Sequence, residues 1–226
     1  MRYVGIDLAW KVSPPKERGT GFCIIDDDGK VLDLGLVTTD DEIVDLIEGD
    51  IWMGIDASLV VPQGRSMRSG ERELRSRGMK VLPTSREFYM SHYGGCRGEM
   101  LARRLTDLGL EYFGSGRNAL FEVYPFAVVQ AAAPGPLRYK KGPRSARRAA
   151  SKELLRRILE WEPSIQIPCS SMPPLVDGTG SADRMDALMA AISVYRHGLY
   201  SGARSAMVGD GDDGYILLPR GGGVDR

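Results

Sequence analysis

Five carboxylates stand where ordinary surface charge does not explain them. Asp7 lies inside the apolar run Tyr3 to Leu8, Asp56 closes Ile51-Trp-Met-Gly-Ile-Asp56, and Glu122 is flanked by apolar residues on both sides in Ala119 to Tyr124. Asp183 and Asp186 stand one helical turn apart near the start of a long apolar stretch. A carboxylate that loses its hydration among apolar neighbours is costly unless it is ion-paired, hydrogen-bonded or bound to a cation. If the fold gathers these acids, they form a site. If it does not, each is a lone acid accepting backbone N–H bonds at a strand end or favouring a helix dipole.

The elements that must position them can be read from local pattern. The run around Asp7 is rich in β-branched and aromatic residues, the profile of a central strand buried on both faces. Gly19 to Ile25 reads as a second strand, Asp26-Asp-Asp-Gly29 as a turn and Lys30 to Thr38 as a third strand, so strands one to three make an antiparallel meander. Asp40 or Asp41 can cap a helix carrying Ile43, Val44, Leu46 and Ile47, ended by Gly49. Ile51 to Ala57 is a fourth strand, and its Gly54-Ile-Asp56 repeats Gly5-Ile-Asp7. A crossover of this length favours parallel pairing of strands one and four. Ligand sites of open α/β sheets lie beyond the carboxyl ends of strands, where both acids would fall. Ala119 to Tyr124 is a fifth strand stopped by Pro125, and alternation sets Glu122 on one face with Leu120 and Tyr124.

Ala182 to His197, capped by Ser181 and closed by Gly198, is a helix apolar nearly all round and therefore buried. Asp183, Asp186, Ala187, Ala190 and Val194 share one of its faces. Small residues there would let the helix backbone lie close to a sheet, with both acids aimed at it. Residues 62–118 form a helical insertion, with a basic helix over Arg65 to Gly78 and an amphipathic one over Glu99 to Leu110. Phe88, Tyr89, His92 and Tyr93 are expected to pack as ordinary core, the alternative being a platform for stacked bases. His92 and Cys96 lack the third orienting group a nucleophile pair needs. From Arg138 through Leu159 runs a basic helix in which Glu153 is the only acid up to Arg157: a phosphate-contacting surface, or a solvated face offsetting nearby carboxylates. Lys11 to Arg18 and Glu162 to Asp177 read as loops, and residues 219–226 as a flexible tail. Ser205 to Val208 and Tyr215 to Leu218 form a closing strand pair, whose Asp/Gly loop lacks the ligand spacing and terminal Glu of an EF-hand.

At 226 residues and 24.8 kDa, with 42% apolar residues, the chain suits one α/β domain. Thirty basic and thirty acidic residues leave no long-range field, which counts against a non-specific nucleic-acid coat. Cys23, Cys96 and Cys169 sit in no paired or Cys/His pattern, so neither a disulfide frame nor a zinc site is expected. No apolar run approaches the roughly 20 residues of a membrane span, and the chain opens directly on a strand, which leads to a cytoplasmic expectation without membrane partners.

Taken in order, Gly5-Ile-Asp-Leu-Ala-Trp10, Gly54-Ile-Asp-Ala57, Glu122-Val-Tyr-Pro125 and Asp183-Arg-Met-Asp-Ala-Leu-Met-Ala-Ala191 resemble the RNase H-like fold, in particular RuvC-type resolvases. They look like the stretches of the RNase H-like family called domain of unknown function 429, many of whose members are described only as predicted nucleases. One departure is Ser58, where the resemblance leads one to expect Pro. The resemblance spans nearly the whole chain. It implies an α/β, RNase H-like fold with a mixed five-stranded sheet, strands one, four and five parallel, flanked by helices. It also implies a metal-dependent nuclease acting on DNA or RNA through Mg²⁺ or Mn²⁺, which suits a chain with only His92 and His197 as imidazole donors. On that pattern Asp7 bridges two ions about 4 Å apart, Asp56 and Glu122 hold one, and Asp186 with Asp183 holds the other. Arg68, Arg72, Lys140, Lys141, Arg144, Arg147 and Arg148 would grip the nucleic-acid backbone, and a homodimer is left open. Two rivals are a nucleotide-phosphate-binding lobe akin to actin and sugar kinases, and a non-catalytic binding protein on the same fold.

Overall fold

The computed structural model describes residues 1–12 and 19–221. The chain begins with β1 (Arg2–Asp7), β2 (Thr20–Asp26) and β3 (Val31–Val37), followed by helix α1 (Asp40–Val44) and β4 (Ile51–Asp56). Helices α2 (Ser69–Ser76), α3 (Arg86–Tyr93) and α4 (Arg97–Asp107) then lead to β5 (Glu111–Tyr112) and β6 (Asn118–Glu122). Next come α5 (Pro125–Ala132), α6 (Arg144–Trp161), α7 (Met172–Val176) and α8 (Ser181–Leu199), and the hairpin of β7 (Ser205–Asp210) and β8 (Gly214–Pro219) closes the chain.

Among the described residues, six strands form a mixed sheet in the order β3-β2-β1-β4-β6-β5, and β7 and β8 form a separate pair. The five expected strands and the antiparallel β1-β2-β3 meander are present, while the two-residue β5 adds an edge that the apolar pattern did not announce. Strand β4 runs parallel to β1 with Asp7 opposite Asp56. Strand β6 runs parallel to β4 with Glu122 opposite Ile55. Alternation divides the core by face. Val4, Ile6, Met53 and Ile55 pack with Ile43 of α1 and Leu101 and Leu105 of α4. Tyr3, Cys23 and Phe121 pack on the other side with α6 and α8. Helices α2 and α5 meet the closing hairpin through Leu74, Ala127 and Ile216.

The approach of α8 to the sheet depends on missing side chains. A Cβ at Gly5 would collide with the Ala187 carbonyl and the Ala191 amide, and one at Gly21 with the Asp183 carbonyl. Small residues on both surfaces thus bring the helix backbone directly onto β1 and β2.

Several boundaries differ from the local signals. Thr39, not Asp40 or Asp41, caps α1 through a capping box with Glu42, because its hydroxyl accepts from the Glu42 amide while Glu42 reaches back. The helix ends at Val44, before Gly49. Strand β6 ends at Glu122, before the expected stop at Pro125, which instead begins α5, since its fixed φ and missing N–H suit a first helical position. Helix α6 starts after Pro143, not at Arg138. The expected loop after Glu162 contains a 3₁₀ turn at Cys169–Ser171 and α7. Helix α8 has Gly180 at its N-cap with no side-chain cap, and it runs past Gly198 to Leu199. The Asp/Gly turn between β7 and β8 sends buried Asp213 to the Ser69 amide at the start of α2. Residues 13–18 of the expected first loop and 222–226 of the expected tail lie outside the described residues. Among the described residues, no helix is long and apolar enough to cross a membrane.

Candidate metal centre

Parallel in-register pairing sets Asp7 and Asp56 side by side at the carboxyl ends of neighbouring strands, on the same face as Gly5 and Gly54. That is the face α8 crosses, and Asp186 arrives from its first turns. One carboxylate oxygen from each of Asp7, Asp56 and Asp186 lies within 4.8 Å of the others. Desolvation pushes the Asp7 carboxyl well above its ordinary range, and the charges of Asp186 and Asp56 push it further. Asp56 is pushed up to about 7, first by desolvation and then by Asp186. Asp186 is fully buried and also raised by burial, with Lys140 and Tyr139 opposing the shift. Asp183, one turn earlier and half-buried, is outside this trio but adds negative charge felt by Asp7 and Asp186.

A cation meets the trio from an unexpected direction. The buried Tyr139 hydroxyl donates to Asp186 Oδ1 at 2.7 Å, and the Lys140 ammonium pairs with Asp186 Oδ2. Burial alone would lower the Lys140 ammonium, but Asp186, Asp7 and Asp56 outweigh it and hold it above its ordinary value. Lys140, expected at a nucleic-acid surface, is half exposed and reaches from that surface to the acids. Its position was invisible in sequence, because the contact joins residues 46 positions apart and Lys140 lies in an irregular segment before α6.

Glu122 does not join the group. With Ile55 as its register partner, the two-residue period turns it to the face opposite Asp56. There it accepts from the Leu59 amide at 2.9 Å and is gripped by both terminal nitrogens of Arg68. Arg68 also bonds Glu71 at 3.0 Å, and all three side chains are buried, so Arg68 is an internal counter-ion and not the expected phosphate contact. Burial raises the Glu122 carboxyl despite Arg68.

The remaining basic candidates sit on the surface. Arg72 is exposed and donates to the Met67 carbonyl. Lys141, Arg144, Arg147 and Arg148 are exposed at the start of α6, where Arg144 and Arg148 pair with Asp177 at 2.8 and 3.6 Å. Cys96 is buried with its thiol pushed up by desolvation, and His92 Nδ1 is engaged by Ser91 and the Phe88 carbonyl, which is not an activated pair. The expected aromatic core is also corrected, since α3 buries none of its residues.

Asp56 and Glu122 also line a pocket of about 260 Å³ that includes Trp10, Tyr89, Tyr93 and Tyr124. Trp10 closes the first motif stretch, but neither it nor Lys80, which also lines the pocket, had a role that the sequence assigns.

No curated protein and no solved structure matches the chain. The family model described as "Protein of unknown function (DUF429)" matches residues 5–212, an interval that takes in Asp7, Asp56 and Asp186, and the chain belongs to that family.

Proposed function

We propose that the protein is a divalent-metal-dependent nuclease of RNase H-like architecture that hydrolyses a phosphodiester of DNA or RNA. The observation that carries this reading is the convergence of Asp7, Asp56 and Asp186 within 4.8 Å at the carboxyl edge of β1 and β4. The strand order β3-β2-β1-β4-β6, antiparallel up to β1 and parallel beyond it, supports the architecture.

The donor set fits a hard cation. It offers carboxylate oxygens and no imidazole or thiolate, as Mg²⁺ or Mn²⁺ prefers. The Lys140 ammonium held by Asp186 is further support, because it reflects the positive charge that three crowded carboxylates require. Such an ion would activate a water and stabilise the leaving oxygen of a phosphodiester. The chain's own residues do the positioning: Asp7 and Asp56 are fixed by strand register and Asp186 by the close seat of α8. Asp183 adds charge one turn away. Glu122, tied to Arg68, holds the Leu59 amide and so steadies the turn that follows Asp56. Tyr139 and Lys140 link the trio to the exposed cations at the start of α6, a surface suited to a phosphate backbone.

The test is incubation of the purified protein with branched, single-stranded and duplex DNA and RNA in Mn²⁺. Cleavage is expected, and Asp7→Asn or Asp186→Asn should abolish it. Absence of cleavage on every substrate, or cleavage undiminished in both variants, overturns the reading.

A further inference from the structure

Asp56 belongs both to the acid trio and to the adjacent pocket, and the pocket has a wall of rings. Trp10 is 40% exposed, and its ring centroid lies 5.8 Å from that of Tyr89 and 5.2 Å from that of Tyr93. Helix α3 supplies both tyrosines. A surface helix ordinarily turns an apolar side to the core, yet α3 carries Phe88, Tyr89, Met90, His92 and Tyr93 and buries none of them.

The wall is held open by bonds behind it. The Val12 amide donates to the Tyr93 carbonyl at 3.1 Å, and the Ser58 hydroxyl bonds Thr84 at 2.8 Å and Tyr89 at 3.2 Å. Gly98, at the start of α4, permits a close pass of that helix over the Ser58 carbonyl, since a Cβ there would come within 2.6 Å of it. Beneath lies the Arg68–Glu122 pair, and Lys80 stands exposed among the lining residues.

We propose that this pocket receives one unstacked nucleobase of a single strand whose backbone runs past Asp56 to the trio. The volume, about 260 Å³, is below the roughly 300–1,000 Å³ of pockets that enclose drug-sized ligands, so it suits one flat ring system. Aromatic walls bind any base through its π-face. A base paired within a duplex reaches such a pocket only after extrusion from the stack, which disfavours intact duplex. The placement of the scissile phosphate beside the occupied pocket rests on the nuclease reading, whereas the binding of the base does not.

The experiment is fluorescence anisotropy of a labelled short single-stranded oligonucleotide titrated with the full chain in EDTA. Trp10→Ala and Tyr93→Ala should each weaken binding about tenfold or more, and Trp10→Phe should keep most of the affinity. A strand of equal length lacking bases should bind the wild type as weakly as the intact strand binds Trp10→Ala. The proposal is overturned by unchanged affinity in both alanine variants, by equal binding of intact and base-free strands, or by no binding of the single strand to the wild type. Because chelation removes divalent ions, these outcomes are independent of cleavage. A protein that binds this way and never cuts loses only the nuclease reading, and one that cuts while Trp10→Ala and Tyr93→Ala bind normally loses only the pocket.

Discussion

Replacing Asp56 with Asn should make the metal-free protein more stable while removing its response to metal. Asp56 is held at about 7 in the folded chain against an ordinary 3.8, so the folded state keeps its proton where the unfolded state has released it. Stability contributed by this group is therefore lost as pH rises from about 4 to about 7 and stays level above. The interval corresponds to about 4 kcal/mol at pH 8. Asn keeps the size and removes the charge; allowing about 1 kcal/mol for an imperfectly bonded amide, the gain is about 3 kcal/mol. For a chain of this length that raises Tm by roughly 6–12 °C. The assay is thermal unfolding by circular dichroism in EDTA at pH 8 and pH 5, repeated with Mn²⁺. The difference between Asp56→Asn and wild type should shrink at pH 5, where the native carboxyl is protonated. Mn²⁺ at a hundred times its dissociation constant should stabilise the wild type by about 2.7 kcal/mol and the variant far less. Coincident metal-free curves at pH 8, or equal stabilisation of both proteins by Mn²⁺, would refute the claim that the trio is a strained cation site.

Arg68→Ala should destabilise the fold by about 3–5 kcal/mol, because it leaves Glu71 and Glu122 buried without their counter-ion. Urea unfolding at pH 7 measures this, and a loss below 1 kcal/mol would show that the two acids find other partners. Gly5→Ala should cost about 3 kcal/mol, the upper end for overpacking, since the new methyl meets α8 backbone and no flexible side chain can yield. A Tm within 2 °C of wild type in the same scans would mean that α8 does not sit on β1 as described.

Much of the scaffold was legible locally. The Gly-Ile-Asp repeat marks β1 and β4, and the small residues of α8 signal its close seat, because strand and helix periods are properties of neighbouring residues. Pattern alone could not give the register of β6. An acid in a strand is visible from its neighbours, but its facing is set by the partner strand, and pairing with Ile55 turned Glu122 away from Asp56 and toward Arg68. Charge was equally misleading by itself. Arg68 looks like a surface cation in sequence, yet it is buried against an acid 54 positions distant, while Lys140 stays half exposed and pairs with an acid 46 positions distant. What the sequence determined was which segments carry the acids and how each segment folds. Which acids meet, and which cations neutralise them, was decided by contacts between residues far apart in the chain, to which no local period refers.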